Sequence, residues 1–140
     1  MVTMRPTTFL EKGLNSFISV AVLFILFIPI LSLDISLLSK KLIFILFLFV
    51  YQIAIIVFNE NISIGMIITK TSWKNNYPLH NQFVHAILYT ASFSTLLFWI
   101  YFPFDLFLIN MLFIQLPSIL LTGATLHGYL SGKMTTVKKI

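Results

Sequence analysis

The sequence lacks cysteine and has very little charge. The absence of cysteine excludes disulfides, thiolate metal sites and a cysteine nucleophile. Charged residues make up 9% of the 140 residues, whereas soluble domains carry about 25%. The chain therefore has too few charges to cover a surface that faces water. This excludes a soluble enzyme, a disordered tail and a nucleic-acid-binding module, and it indicates that the main solvent of the chain is the lipid bilayer.

Hydrophobic residues dominate what is present. They make up 59% of the chain, and the mean hydropathy is +0.99. Lysine and arginine outnumber aspartate and glutamate by 9 to 4, which gives a net charge of +5. In a hydrophobic chain, such an excess of cations is typical of the cytoplasmic flanks of membrane helices. We expect these cations to attract anionic lipids at the cytoplasmic face.

Long apolar runs predict membrane-spanning helices, each of which needs about 20 mostly apolar residues. The predicted spans cover about 14–33, 42–58, 83–104 and 106–126, with a loop over 59–80 and a tail over 130–140. Only Asp105, close to Pro103, separates the last two spans, so they form either a tight hairpin or one broken helix. The predicted fold class is all-α, with a single membrane domain over 1–140 that contains four transmembrane helices. Three helices are the alternative.

The distribution of basic residues favours four spans over three. With four spans, both termini and the 59–80 loop lie on one side, and Lys40 and Lys41 alone lie on the other. The first side then holds Arg5, Lys12, Lys70, Lys74, Lys133, Lys138 and Lys139. With three spans the cations divide almost equally, which the positive-inside rule disfavours. We therefore expect both termini to be cytoplasmic.

Two segments on the predicted cytoplasmic side are prone to form β-structure. The first covers 63–73, with the sequence SIGMIITKTSW, and the second is the tail GKMTTVKK. Both are rich in β-branched residues and lack a helical period. They predict a short two-stranded cytoplasmic β ribbon. Within the spans, Pro29 and Pro117 predict kinks, because each proline removes a backbone hydrogen bond.

Uncharged polar residues occur within the predicted spans. Gln52 lies in the second span, and Asn110 and Gln115 lie in the fourth, while the third contains Ser92. A buried amide is costly in hydrocarbon unless it is paired, so we expect these groups to face one another inside the bundle. They form either a polar site for a small ligand or, as we prefer, interhelical hydrogen bonds worth roughly 0.6 kcal/mol each.

No ionisable residue is predicted at the centre of a span, which argues against a proton- or cation-coupled carrier. His80 and His85 are too far apart along a helix to form an i, i+4 metal pair. His127 is expected close to the cytoplasmic interface. No nucleotide-binding, zinc-protease or nucleophile motif is present. The sequence thus predicts no enzyme activity, no catalytic residue, no metal site and no cofactor.

The order of motifs in the second half resembles the RDD family of small bacterial integral membrane proteins. The strand-like segment contains Gly65, a polar turn leads to Pro78-Leu79, and the closing motif contains Leu126-His127 and, further on, Gly132. The resemblance implies a multi-pass protein of the bacterial cytoplasmic membrane, in a family thought to be involved in transport.

The chain departs from the family pattern at its charged positions. The first span has no acid, Gly128 stands where the closing motif has an aspartate, and Tyr89 replaces a basic residue expected inside the third span. We therefore expect a small non-catalytic accessory or modulatory component of a membrane complex. Its partners are expected to be the lipid bilayer and either other membrane protein subunits or further copies of itself. The alternative function is an oligomeric transporter of ions or a small solute.

Overall fold

The structure is a computed structural model that describes residues 3–139, so the last residue of the predicted 130–140 tail and the first two of the chain lie outside the described residues. Helices dominate, and three short strands form one sheet. In chain order the elements are β1 (Met4–Pro6), α1 (Phe9–Leu31), α2 (Leu37–Phe58), α3 (Ile64–Thr69), β2 (Thr71–Trp73), α4 (Leu79–Ser94), α5 (Asp105–Ile109), a π-helical segment (Asn110–Gln115), α6 (Leu116–Thr122), α7 (Leu126–Leu130) and β3 (Thr136–Lys139).

The two longest helices, α1 and α2, form an apolar hairpin. Each begins at a hydroxyl cap: Thr8 accepts a hydrogen bond from the N–H of Glu11, and Ser36 accepts one from the N–H of Ser39. The helices then pack through bulky side chains. Phe27 of α1 meets Phe44 of α2 edge to face, with ring centroids 5.3 Å apart. The core continues through Val20, Leu23, Leu48, Tyr89 and Phe93.

Within residues 3–139, three helical stretches are long and apolar enough to cross a membrane: Phe9–Leu31, Leu37–Phe58 and Asp105–Thr122. The first two agree with the predicted first and second spans. The third joins α5, the π-helical segment and α6 into one continuous stretch. Pro117 lies at the start of α6. Its ring would clash with the carbonyl of Phe113 in a regular helix, and the wider π turn just before it relieves that crowding.

The predicted span over 83–104 has a different form in the structure. Helix α4 ends at Ser94, and turns and bends follow up to Asp105. The hydroxyls of Ser94 and Thr95 donate to the carbonyls of Ala91 and Ser92, at 2.6 and 2.7 Å. Such local bonds compete with the helical ladder. The 16 residues of α4 span about 24 Å, less than the roughly 30 Å hydrocarbon core. Four membrane-spanning helices therefore stay a prediction.

Asp105 organises the turn between α4 and α5. Its carboxylate accepts backbone N–H groups from Ile100, Tyr101 and Leu106 at 3.0, 2.7 and 2.7 Å, and a longer bond from Phe102 at 3.4 Å. The connection between α4 and α5 is therefore held together by this carboxylate. It accepts hydrogen bonds from backbone N–H groups that have no carbonyl partner, because the segment before α5 is not helical.

A small antiparallel sheet joins three distant parts of the chain. Its strand order is β1-β3-β2, with Arg5 opposite Lys138 and Ser72 opposite Val137. The predicted pairing of 71–73 with the tail is present, and β1 adds a third strand. The rest of the predicted β-prone segment over 63–73 is instead helix α3. The hydroxyl of Ser63 caps it by accepting the N–H of Met66, which starts a helix despite the β-branched residues.

Candidate functional site

One face of α1 carries a polar stripe next to the sheet. Lys12, Asn15, Ser16 and Ser19 follow the i, i+3, i+4, i+7 spacing that places residues on the same helix face. The first three line a cavity of about 70 Å³. The helical period was visible in the sequence. However, the sequence indicates for Lys12 only a cation at the flank of a membrane helix, and it does not predict the cavity.

Other elements complete the cavity wall. Helix α2 contributes Gln52, and strand β2 contributes Trp73, while β3 and the residue before it contribute hydroxyls. The remaining polar and aromatic lining comes from Asn61, Ser63, His85, Tyr89, Thr125, His127, Thr135 and Thr136. The described lining residues include no aspartate or glutamate. The cavity therefore combines one cation with hydroxyl, amide and imidazole groups.

The Lys12 ammonium makes its hydrogen bonds to neutral groups. Its Nζ donates to the hydroxyl of Thr7 at 2.6 Å and, over longer distances, to those of Thr136 at 3.3 Å and Thr135 at 3.4 Å. The neighbouring acid, Glu11, is paired with Arg5 instead, at 2.5 Å. Among the described residues, the ammonium thus lies in hydroxyl surroundings with no carboxylate in direct contact.

Two buried histidines form the opposite wall. The rings of His85 and His127 lie 5.3 Å apart, and Trp73 lies 5.2 Å from His85. Each histidine is 7% exposed, and neither Nδ1 atom has a hydrogen-bond partner among the described residues. Burial holds the pKa of His127 well below its ordinary value of 6.5, and the charges of His85 and Lys12 lower it further. The imidazole of His127 is therefore neutral near pH 7.

The predicted intramembrane polar residues divide between two places. Asn110 and Gln115 lie together: Gln115 Nε2 donates to Asn110 Oδ1 at 3.1 Å, and Asn110 Nδ2 donates to Ser92 Oγ at 2.8 Å. The Oε1 atom of Gln115 also accepts the N–H of Leu126 at 2.9 Å. Gln52, in contrast, is buried in the cavity wall. The structure thus brings Asn110, Gln115 and Ser92 together but places Gln52 elsewhere.

The glycines of the family motifs lie at tight contacts. Gly65 packs α3 against α1, where a Cβ atom would overlap the backbone of Asn15, and its N–H donates to the hydroxyl of Ser19 at 3.0 Å. Gly132 has a φ of +104°, a conformation that favours glycine. A Cβ atom there would also lie 2.5 Å from the side chain of Asn81. Both positions thus require glycine for packing or for backbone conformation.

Pro78, Leu79 and Leu126 lie at the starts of helices. Pro78 is the N-cap of α4 and Leu79 is its first residue, while Leu126 opens α7. His127 follows directly and reaches the cavity. Gly128 supports the turn to β3, because its carbonyl accepts the N–H of Met134 at 2.8 Å.

The described residues contain no group of three or more histidine, cysteine, aspartate or glutamate side chains that could hold a metal ion. The cavity instead offers a single cation together with hydroxyl and amide groups, which suits a small polar or anionic ligand. Comparisons of the chain with protein-family models, with curated proteins and with solved structures found no match.

Proposed function

We propose that this chain is a non-catalytic, RDD-like, multi-pass integral membrane protein that acts as an accessory or modulatory component of a membrane complex. One observation supports this above the others. In the three helices that are long and apolar enough to span, only 17%, 22% and 17% of the most apolar stretch is buried within the chain. Most of their apolar surface is therefore available to lipid or to another protein.

The exposed surface is bulky as well as apolar. Phe17 is 69% exposed, Phe113 is 75% exposed and Leu121 is 86% exposed. Apolar area alone does not drive helix association in lipid, because the lipid tails are equally apolar. Close packing of complementary surfaces drives this association, and large protruding side chains can insert between the side chains of a complementary helix. This favours assembly with other membrane subunits or with further copies of the chain.

The sheet supports an even number of membrane passes. It pairs the segment before α1 with the C-terminal strand, and that strand with β2 between the second and third predicted spans. Segments that pair in one sheet lie on one side of a bilayer. The proposal therefore has four passes, with α4 as the short third one, and places the sheet and both termini in the cytoplasm of a bacterial cell. The basic residues around the sheet agree with the positive-inside rule.

Assembly is tested by purifying the tagged chain from its native membrane in a mild detergent after crosslinking in the bilayer. A photoreactive residue in place of Phe113 or Leu121 is expected to give a discrete crosslinked species. The same residue in place of Leu48, which is 1% exposed, is the matched control and is expected to give none. A chain that stays monomeric with every exposed probe would contradict the proposal.

The alternative function, an oligomeric transporter of ions or a small solute, is supported by the polar cavity. Gln52 contributes an amide to its wall. In reconstituted vesicles, this alternative predicts a flux that falls when Gln52 is replaced by leucine. Replacing Asn110 or Gln115, which bond to each other outside the cavity, serves as the comparison. A flux that Gln52→Leu leaves unchanged would remove the cavity from any pathway.

A further inference from the structure

The polar cavity contains a cation that has no carboxylate in direct contact among the described residues. Lys12 contacts the hydroxyls of Thr7, Thr135 and Thr136, and Arg5 occupies the nearby carboxylate of Glu11. A partly buried ammonium is costly unless an opposite charge or several acceptors compensate it. We propose that the cavity binds a phosphate-type oxyanion, either as free phosphate or as the phosphate of an anionic lipid head group. This inference does not depend on the proposed accessory function.

The groups around Lys12 suit an oxyanion. Hydroxyls of Thr135 and Thr136 and the amide of Gln52 line the same space, and both hydroxyls and amides donate hydrogen bonds to oxygen atoms. His85 and His127 each have a buried Nδ1 without a partner among the described residues. A neutral imidazole always carries one N–H donor, so the two rings add donors that the protein itself leaves unused.

The same arrangement disfavours a cation. A metal ion would lie close to the Lys12 ammonium, and like charges in a partly buried site repel each other strongly. The described part of the chain also supplies only two histidines to the cavity and no carboxylate. Two imidazoles next to a lysine ammonium are a poor site for a divalent ion but leave room for an anion.

The size and position of the cavity limit the ligand. Its volume is about 70 Å³, whereas one water molecule needs about 10 to 15 Å³ on the same measure. The space therefore fits a compact group such as one phosphate, and not a nucleotide. Lys12 lies in the second turn of α1, just after the sheet ends and before the apolar part of the helix begins. At this depth a lipid phosphate and a dissolved phosphate both have access.

Trp73 allows a direct binding measurement, because its ring lies 5.2 Å from that of His85 in the cavity wall. The chain has two tryptophans, so Trp99→Phe leaves Trp73 as the sole reporter. Inorganic phosphate titrated into this protein in a neutral detergent is expected to change the fluorescence with saturation at one site. Lys12→Gln is expected to weaken binding roughly ten- to hundredfold, since a charged hydrogen bond is worth about 1.5 to 3 kcal/mol. The exposed Lys74 provides the matched control, and Lys74→Gln is expected to bind as the parent does.

A second arm identifies the source of the phosphate. The same protein is placed in nanodiscs of phosphatidylcholine alone or with added phosphatidic acid. A response to inorganic phosphate supports a free ion, and a response only to phosphatidic acid supports a lipid head group. No saturable response in either arm would overturn the proposal, and so would equal weakening by Lys12→Gln and Lys74→Gln. If Lys12→Gln does not fold, Gln52→Met replaces it, and unchanged binding by that variant would overturn the proposal.

Discussion

His85 and His127 lie side by side in the wall of the polar cavity, with their ring centroids 5.3 Å apart and their planes inclined by 56°. They come from α4 and α7, which the chain connects only through α5, the π-helical segment and α6. Tyr89 completes the cluster, 5.4 Å from the ring of His127. Two buried imidazoles at this distance are stable when both are neutral, and a positive charge on either of them destabilises the pair. The pair thus joins α4 to α7 and makes this junction sensitive to protonation.

The stability of the protein is expected to fall at mildly acidic pH. The pKa of His127 lies below 6.5 in the folded chain because of burial, His85 and Lys12. The unfolded chain therefore binds more protons than the folded chain as the pH falls below about 6.5. The contribution of His127 is complete above that pH and is lost progressively below it, by at most about 1.4 kcal/mol per pH unit.

Thermal unfolding in detergent between pH 8 and pH 5 measures this effect. The midpoint is expected to be constant down to about pH 6.5 and to fall below it. His127→Gln is expected to flatten the fall, whereas His80→Gln, which changes an exposed histidine, is expected to leave it unchanged. A pH profile that is identical in all three proteins would show that His127 does not titrate with unfolding.

Gly65→Ala is expected to destabilise the protein by at least about 1 to 3 kcal/mol, the usual cost of overpacking. The added methyl group would overlap the backbone of Asn15, which cannot move without displacing α1. Gly13→Ala is the matched control, because a Cβ atom at Gly13 meets nothing within 4 Å and alanine favours the helix by roughly 0.5 to 1 kcal/mol. The midpoint of thermal unfolding should therefore fall for Gly65→Ala and rise for Gly13→Ala. A neutral effect of Gly65→Ala would contradict the contact between α3 and α1.

Asp105→Ala is expected to loosen the turn before α5. Its carboxylate accepts the N–H groups of Ile100, Tyr101 and Leu106, and alanine removes all of these acceptors. Water replaces part of them in an exposed turn. Proteolysis after Tyr101 measures the opening: it should accelerate in Asp105→Ala and less in Asp105→Asn, which keeps one acceptor oxygen. Equal rates of proteolysis in the parent and in both variants would show that the Asp105 carboxylate does not hold this turn.

Asn110 and Gln115 are expected to act as interhelical hydrogen-bonding groups. Gln115→Leu leaves the N–H of Leu126 without its acceptor, so we expect a loss of about 1 to 3 kcal/mol. A double-mutant cycle with Asn110→Leu isolates the bond between the two amides, which lies within one helical stretch. Unfolding in detergent supplies the four free energies. A coupling energy of zero would show that this amide pair contributes nothing to stability.

The sequence predicts the parts of the fold that depend on local patterns. The apolar runs locate α1 and α2. The β-prone segment over 63–73 and the tail predict a paired ribbon, of which 71–73 and 136–139 are strands, whereas 64–69 is helix α3. The end of α4 was not predictable in the same way. The run from Phe83 onward stays apolar, so its pattern gives no sign that the helix ends at Ser94.

The polar cavity depends on long-range contacts that no local pattern contains. The stripe from Lys12 to Ser19 indicates that one face of α1 has polar neighbours, but not which ones. Those neighbours come from β3, α4 and α7, and the sheet brings them to α1 by pairing the two ends of the chain. For the same reason, the sequence predicts Gln52 beside Asn110 and Gln115, whereas it lies in the cavity wall. The depth of a residue within a predicted span does not show whether its side chain lies in the cavity wall or between the helices.

Labelling of single cysteines in intact cells tests the membrane arrangement most directly, and the natural absence of cysteine makes the background clean. Asp34→Cys and Tyr101→Cys probe the two turns away from the sheet, and Lys74→Cys and Lys139→Cys probe the sheet side. With four passes, a membrane-impermeant maleimide is expected to label positions 34 and 101 in intact cells, and positions 74 and 139 only after the membrane is opened. Protection of position 101 together with 74, or labelling of 139 from outside, would contradict this arrangement.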